Sequence, residues 1–242
     1  MRLIFVRHGQ TPSNVQHLLD TAVPGPGLTE LGREQAAALP AAFVGIDLAA
    51  IYVSDLIRTH ETAAALAAAR GLAPIERGGL REISAGDFEM SGTFEAVSAY
   101  HEATVAWVSG DLDVRLPGGE DGHEVLGRFD EVVTEICGNG HDTVAVVSHG
   151  AVLRTWVGAR ATNISADFIA TNFLSNTGVI VVEGTCGQEW RTLMWDGNPL
   201  GGFPYDDAHD GPAGDAFRSL WRGNGGRLGV SAAADEAERF GG

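Results

Sequence analysis

Short runs of apolar residues, rich in branched and aromatic types, divide the chain into predicted β-strands. The first run, Leu3 to Val6, lacks polar alternation, which is typical of a strand buried on both faces of a sheet. It ends at Arg7, where charged and flexible residues begin. The other predicted strands lie at 50–53, 143–147, 178–183 and 189–195.

Segments with apolar residues at helical spacing lie between these strands. Thr29 is a residue type that caps helix N-termini, and an apolar stripe that includes Leu31, Leu39 and Phe43 follows it. A later helix is expected to end at Gly71, because glycine commonly follows the last helical residue. The helices are predicted after Thr29, from Leu56 to Arg70, near 92–109, from Glu120 to Cys137 and from Ala151 to Val157.

The composition changes after Trp195. Residues 196–215 are rich in Gly, Pro and Asp, and only one short helix, Ala216 to Arg222, is predicted beyond them. We therefore predict a folded domain at 1–197 and a C-terminal extension at 198–242 that is partly irregular. An acidic cluster in the extension lacks the spacing of a calcium loop and is interpreted as solvated. Its members are Asp206, Asp207, His209 and Asp210.

The net charge of −16 at pH 7 restricts the partners of this 242-residue chain. Nucleic acids and anionic membranes bind basic surfaces, so neither is an expected partner. A bound phosphate group would have to be held by a local cluster of Arg and His side chains. The oligomeric state stays open, with a homodimer as one alternative.

Cysteine usage and the N-terminal segment bear on the compartment. Cys137 and Cys186 are too few for a disulfide framework and neither lies in a paired motif, so free thiols are predicted. The N-terminus enters a strand without a signal region, and no apolar run approaches the length of about 18 residues that a membrane helix needs. These observations favour a cytoplasmic protein.

Two of the predicted strands end in a histidine followed by a glycine. Arg7-His8-Gly9 follows the first strand, and Ser148-His149-Gly150 follows the strand at 143–147. Ligands bind at the carboxyl ends of strands in open α/β sheets, so an arginine beside a histidine predicts an anion site with a nucleophile or base. The helix that begins after the second motif is expected to offer free backbone N–H groups to phosphate.

Further polar residues complete a recognisable set. Arg58 lies in the first turn of a predicted helix, where the helix dipole disfavours a cation, so it is expected to meet an anion. Glu82 lies in a charged, non-periodic loop at 80–90, and Asn14 in a polar turn. Along the chain, the set runs from Arg7-His8-Gly9 through Asn14, Arg58 and Glu82 to Ser148-His149-Gly150. In this order, residues 1–195 resemble the histidine phosphatase superfamily, in its phosphoglycerate-mutase-like branch.

The resemblance implies a three-layer α/β/α sandwich around a mostly parallel mixed sheet. Because both His-Gly turns must then meet at one site, the first strand and the strand at 143–147 are predicted to be neighbours at the centre of the sheet. We expect the imidazoles of His8 and His149 to lie within about 8 Å of each other, close enough to share a phosphate group.

The resemblance also implies the role of each site residue. His8 would be the nucleophile that becomes phosphohistidine, and Glu82 would protonate the leaving oxygen and then deprotonate the attacking water. Two guanidiniums and an imidazole supply positive charge for phosphoryl transfer, so no metal and no other cofactor is expected. The phosphate-binding residues would be Arg7, Asn14, Arg58, His149 and Gly150.

Three activities are compatible with these motifs. The chain could hydrolyse a small phosphorylated substrate and release inorganic phosphate, isomerise a phosphoglycerate as a mutase, or bind phosphorylated ligands without catalysis. Mutases of this family hold the substrate carboxylate with basic residues after the acid, whereas this chain has no Lys or Arg at 83–114, and Arg115 is the first. A histidine acid phosphatase-type hydrolase is therefore favoured.

The remaining charged residues near the motifs receive structural interpretations. Arg81 and Glu89 flank the acid loop, and either one is a candidate for a structural ion pair, while His101 and His123 are candidates for the substrate side. The other histidines, His17, His60, His141 and His209, are predicted to be solvated.

Overall fold

The computed structural model describes residues 1–196 and 198–199. The predicted helix at Ala216–Arg222, the acidic cluster and nearly all of the predicted extension lie outside the described residues. The described part forms one mixed sheet with strand order β3-β2-β4-β1-β5-β6-β7. Its strands are β1 (Arg2–Arg7), β2 (Ala50–Val53), β3 (Ile75–Glu76), β4 (Thr143–Ser148), β5 (Val179–Gly184), β6 (Trp190–Trp195) and β7 (Asn198–Pro199).

The two strands that carry the His-Gly motifs are neighbours at the centre of this sheet. β1 and β4 pair in parallel, with Arg7 aligned with Ser148 at their carboxyl ends. The strands β3, β2, β4 and β1 run parallel to one another, and β5, β6 and β7 continue the sheet in antiparallel pairs. The predicted adjacency is confirmed, and both motifs reach the same edge of the sheet.

Helices cover both faces of the sheet. Successive side chains of a strand point to opposite faces, and accordingly Leu3 and Phe5 belong to one core whereas Ile4 and Val6 belong to the other. The first core packs against α4, α5 and α6, and the second against α2 and α3. The helices are α1 (Pro12–Val15), α2 (Glu30–Ala42), α3 (Ile57–Arg70), α4 (Phe94–Val108), α5 (Gly122–Gly138), α6 (Gly150–Arg160) and α7 (Ala166–Thr171).

The larger predicted elements are confirmed, and their boundaries have local causes. Thr29 caps α2 by accepting a hydrogen bond from the backbone N–H of Gly32. Gly71 ends α3 with φ of +64°, a left-handed conformation that glycine adopts at low cost. The elements that the sequence pattern did not predict, α7, β3 and β7, are too short for a periodic pattern to develop.

One expectation about the cysteines is wrong. Cys137 and Cys186, 49 residues apart, form a disulfide that connects the end of α5 to the turn between β5 and β6. The pairing depends on how these elements pack, which the spacing of two isolated cysteines does not encode. Among the described residues, no helix combines the length and apolar character needed to span a membrane.

Candidate active site

The carboxyl ends of β1 and β4 meet at a cavity of about 160 Å³. The imidazole rings of His8 and His149 lie beside each other there, with centroids 5.2 Å apart, within the expected limit. The parallel register of the two strands places both His-Gly turns at this edge. The predicted site residues that line the cavity are Arg7, His8, Asn14, Arg58 and Glu82.

The His8 side chain is prepared to act as a base or nucleophile. Its Nδ1–H donates a hydrogen bond to the carbonyl oxygen of Gly9 over 2.7 Å, which leaves the lone pair on Nε2. Burial, and then the nearby charges of Arg58 and Arg7, hold the pKa of His8 well below its ordinary value of 6.5. The imidazole is therefore neutral at neutral pH.

Two guanidiniums line the same cavity, that of the buried Arg58 and that of the half-buried Arg7. Arg7 donates from Nη1 to the carbonyl of Leu174, and its Nε has no hydrogen-bond partner among the described residues. Arg58 is only 3% exposed and donates from Nη2 to the carbonyl of Asp20, while its Nη1 has no hydrogen-bond partner in the described part of the chain. Burial lowers the pKa of both arginines, against the opposing charge of Glu82. Buried N–H groups of this kind are suited to an anionic ligand.

His149 is the N-cap residue of α6 and is completely buried. Its Nδ1 accepts a hydrogen bond from Arg58 Nε over 3.2 Å, so its Nε2–H donates to the Ser54 hydroxyl over 2.8 Å. Burial, and then the nearby charge of Arg58, hold the pKa of His149 well below 6.5. Both ring nitrogens of His149 thus form hydrogen bonds within the protein, one with Arg58 and one with Ser54.

The N-terminus of α6 is occupied by the carboxylate of Glu82. The backbone N–H groups of Ala151 and Val152 donate to it over 3.0 and 2.8 Å. The expectation that these N–H groups would be free for phosphate is therefore wrong, because a carboxylate of the protein takes the place favoured by the helix dipole. Gly150 lies against Arg7, where a Cβ atom would come within 3.1 Å of the arginine Nε.

Arg128 on α5 holds the acid loop, defined here as residues 79–90. Its guanidinium donates to the carbonyls of Gly79, Arg81 and Glu82 over 2.8, 2.9 and 3.1 Å. It also pairs with Glu120 over 2.7 Å, and Glu120 accepts a hydrogen bond from the backbone N–H of Ser84. The backbone on both sides of Glu82 is thereby attached to α5.

Glu89 attaches the acid loop to Thr21 and Ala22, in the loop after α1. Its carboxylate accepts hydrogen bonds from the backbone N–H groups of Thr21 and Ala22 and from the Thr21 hydroxyl. Glu89 is therefore a hydrogen-bond acceptor for this segment. Arg81 does form the expected ion pair, with Asp55.

Asn14 is oriented by two hydrogen bonds to its side-chain oxygen. The backbone N–H of Thr11 and the side-chain amide of Asn176 each donate to Asn14 Oδ1 over 3.0 Å. The amide nitrogen of Asn14 is consequently the end available to a ligand in the cavity. Asn176 also donates to the carbonyl of His8, so it links the Asn14 side chain to the turn that carries His8.

The two histidines considered for the substrate side are elsewhere. His101 packs against Phe173 and lies at hydrogen-bond distance from the carbonyl of Ala170, and His123 pairs with the exposed Asp113. Neither lines the cavity.

Several cavity residues escaped the sequence analysis. They are Leu18, Leu19, Asp20, Thr21 and Tyr100. Tyr100 lies on the buried face of α4 and donates to the carbonyl of Ile83, and its burial raises its pKa well above 10.0. No motif marks these positions, because they reach the cavity only through the packing of the loop after α1 and of α4.

Comparison with known proteins agrees with this geometry. The family model described as histidine phosphatase superfamily (branch 1) matches residues 3–197. The chain is 36% identical over 215 residues to the PE-PGRS family protein PE_PGRS11 of Mycobacterium tuberculosis, a match that covers 81% of this chain and 36% of that protein. The chain therefore spans only about a third of the length of that relative.

Two further relatives differ in their activities. The 2,3-bisphosphoglycerate-dependent phosphoglycerate mutase of Methylocella silvestris is 32% identical over 167 residues, covering 64% of this chain and 79% of that protein. The structure of mycobacterial glucosyl-3-phosphoglycerate phosphatase in complex with VO3 superposes with a TM-score of 0.67 at 28% identity, covering 81% of this chain and 98% of the other.

Proposed function

The chain belongs to the histidine phosphatase superfamily (branch 1), and from that premise we propose that it is a phosphomonoesterase that acts through a phosphohistidine at His8. The observation that carries the proposal is the neutral, buried imidazole of His8 in a cavity that is also lined by the guanidiniums of Arg7 and Arg58. A nucleophile must have a free lone pair, and a phosphoryl group needs its equatorial oxygens neutralised.

In the first step, His8 Nε2 attacks the phosphorus atom and the bond between phosphorus and the leaving oxygen breaks. Glu82 gives a proton to that oxygen, so the leaving group departs as an alcohol. In the second step, Glu82 accepts a proton from water, the water oxygen attacks phosphorus, and the bond to Nε2 breaks. Inorganic phosphate is released and His8 returns to its neutral form.

The positive charge for both steps would come from the arginines. The Nε of Arg7 and the Nη1 of Arg58 are buried without hydrogen-bond partners among the described residues. A phosphoryl oxygen could therefore accept hydrogen bonds from them without displacing a protein group. Such pre-oriented donors are worth about 10²–10³-fold in rate each. Asn14 would contribute its amide N–H, and His149 would act by orienting Arg58.

A phosphatase is favoured over a mutase by the residues around the cavity. A mutase must bind the carboxylate of a phosphoglycerate as well as its phosphate. In the described part of the chain, Arg7 and Arg58 are the only cationic side chains that line the cavity, and the imidazole of His8 is neutral. Both guanidiniums are required for the phosphoryl group, so the substrate carboxylate would lack a cationic partner.

The finer classification is part of the same proposal. A histidine that stays neutral in acid fits an acid phosphatase-type hydrolase, acting on small phosphorylated molecules rather than on nucleic acids or membranes. A cytoplasmic location stays a prediction. The disulfide between Cys137 and Cys186 counts against it, because cysteines in a reducing compartment are kept as free thiols. Alkylation of free thiols in intact cells, before lysis, would test it.

The proposal is tested by trapping the intermediate. With p-nitrophenyl phosphate, rapid alkaline quenching should capture an acid-labile phosphoenzyme in the wild type. His8→Ala should abolish both the phosphoenzyme and turnover, while the control His123→Asn, at an exposed histidine, should retain both. A labelled phosphoenzyme in His8→Ala would refute the nucleophile, and formation of 2-phosphoglycerate from 3-phosphoglycerate at a rate above its hydrolysis would identify a mutase.

A further inference from the structure

Asp20 places a fixed carboxylate in the wall of the cavity. The side chain is only 10% exposed, and its Oδ2 accepts a hydrogen bond from the Ser13 hydroxyl. Its Oδ1 lies 3.9 Å from Arg58 Nη1, and its backbone carbonyl accepts a hydrogen bond from Arg58 Nη2 over 3.0 Å. Asp20 is therefore held from both sides and is not a surface group that can turn into solvent.

Asp20 is the carboxylate of the described cavity lining that takes no part in the proposed proton transfers. Arg7 and Arg58 are positive and Asp20 is negative, Glu82 carries a proton at the start of the proposed first step, and the other described residues of the lining are neutral or, for His8, kept neutral by burial. A phosphoryl dianion would engage both guanidiniums. The part of the substrate beyond the phosphoryl group would then meet the carboxylate of Asp20 and the neutral side chains of this cavity.

A further arginine lies nearby but is not among the described residues that line the cavity. Arg154 on α6 is 7% exposed and does not line the cavity. Its guanidinium donates to the carbonyl of Ile169 and lies over the ring of Phe173, 4.6 Å from its centroid. Burial lowers the pKa of Arg154 to about 10, so it stays charged behind the wall.

Resting on the proposed phosphatase activity, we infer that Asp20 selects the leaving group, favouring phosphomonoesters of amino alcohols, whose leaving group carries an ammonium. An ammonium would meet the carboxylate of Asp20, whereas a carboxylate or a second phosphate would be repelled by it. Charges in a partly buried site interact far more strongly than in water. The net charge of −16 acts in the same direction at longer range.

Three phosphate esters with two-carbon leaving groups separate charge from size. They are O-phosphoethanolamine, ethyl phosphate and phosphoglycolate, whose leaving groups are cationic, neutral and anionic. We expect kcat/KM of the wild type to fall in that order, with a difference of at least about tenfold between the first and the last, as expected for one charge contact in a partly screened site. p-Nitrophenyl phosphate serves as the reference for basic phosphatase activity.

The substitution Asp20→Asn removes the charge and keeps an oxygen that can accept the Ser13 hydrogen bond. It should reduce the ratio of kcat/KM for O-phosphoethanolamine to that for phosphoglycolate by about tenfold. A loss of structure alone would lower activity on all three esters and leave this ratio unchanged. The control Asp113→Asn removes the same charge from a side chain that is 94% exposed, and should leave the ratio as in the wild type.

The outcomes distinguish this inference from the function on which it rests. If the wild type hydrolyses p-nitrophenyl phosphate but prefers phosphoglycolate, or if Asp20→Asn leaves the ratio unchanged, Asp20 does not select the substrate and the phosphatase assignment stands. Absence of hydrolysis of all four esters by the wild type would overturn the phosphatase assignment itself. The wild-type ranking requires no variant, so a preference for phosphoglycolate overturns the inference even if Asp20→Asn fails to fold.

Discussion

Arg58 Nε donates a hydrogen bond to His149 Nδ1 over 3.2 Å, so the second histidine of the site contacts an arginine in the resting protein. The Ser54 hydroxyl occupies the other ring nitrogen. For His149 to bind a phosphoryl oxygen directly, one of these two hydrogen bonds would have to be exchanged. We therefore interpret His149 as a residue that orients the guanidinium of Arg58.

This interpretation predicts that the two side chains act as a unit. Arg58→Ala should lower kcat/KM for p-nitrophenyl phosphate by about 10²–10³-fold, as for loss of one pre-oriented donor. His149→Ala should cost less, and the double variant should be little worse than Arg58→Ala alone, since residues in one network are not additive. If the fold-loss of kcat/KM in the double variant instead equals the product of the two single-variant losses, His149 contacts the phosphoryl group independently of Arg58.

Glu82 is predicted to contribute most to the rate with substrates whose leaving group must be protonated as it departs. Glu82→Gln should slow hydrolysis of an alkyl phosphate by roughly 10²–10⁴-fold, the usual contribution of general acid–base catalysis. In single-turnover phosphorylation by p-nitrophenyl phosphate the loss should be much smaller, because p-nitrophenolate leaves unprotonated, and phosphoenzyme should then accumulate. Equal losses with both substrates, or a larger effect of Glu89→Gln, would show that Glu82 is not the acid.

Arg128 is predicted to act through Glu82, because it holds the backbone of the acid loop. Arg128→Ala should lower kcat with little change in KM, and the loss in the phosphorylation step should be larger for alkyl phosphates than for p-nitrophenyl phosphate, as for Glu82→Gln. The control Arg77→Ala removes another arginine that pairs with α5, through Glu135, outside the site, and should leave kcat unchanged. A loss that does not depend on the leaving group would contradict this role.

The neutral histidines predict that the protein loses stability in acid. The folded state holds the pKa of His8 and of His149 well below 6.5, whereas both approach that value when unfolded. Below pH 6.5 the unfolded state therefore binds more protons, and the free energy of unfolding falls as the pH falls, by up to about 1.4 kcal/mol per pH unit for each histidine.

Urea unfolding between pH 7 and pH 5 measures this dependence. His8→Asn removes one of the two groups and should reduce the slope, while His123→Asn, whose imidazole is 62% exposed, should not. A slope in His8→Asn equal to that of the wild type would show that His8 is protonated in the folded state.

The sequence was sufficient to predict the centre of the fold and five of the residues that line the cavity, Arg7, His8, Asn14, Arg58 and Glu82. An apolar run that ends in His-Gly identifies both a strand and its functional end, so two such runs predict that β1 and β4 are neighbours. Arg58 could be recognised because its position in the first turn of α3 is unfavourable without an anion. In each case one local pattern carries both the structural and the chemical information.

The remaining features depend on packing between distant segments. Glu82 lies in a loop, and nothing in its neighbourhood indicates that the N–H groups of α6, 70 residues later, donate to it. Arg128 is one arginine on an amphipathic helix, and its contacts with the acid loop arise from how α5 packs. Asp20 and Tyr100 belong to segments without any motif. Such positions become visible only when the cavity itself is known.

The attachment of Glu82 to the first turn of α6 has a consequence for how this fold diversifies. His149 begins the same helix, so the candidate acid and the residue that orients Arg58 are held by one rigid element. The loop after α1 and helix α4 supply Asp20 and Tyr100 to another wall of the cavity. Substitutions there can alter which alcohol is released while the phosphorus chemistry is inherited unchanged, so a new substrate preference can evolve from a few exchanges in one wall.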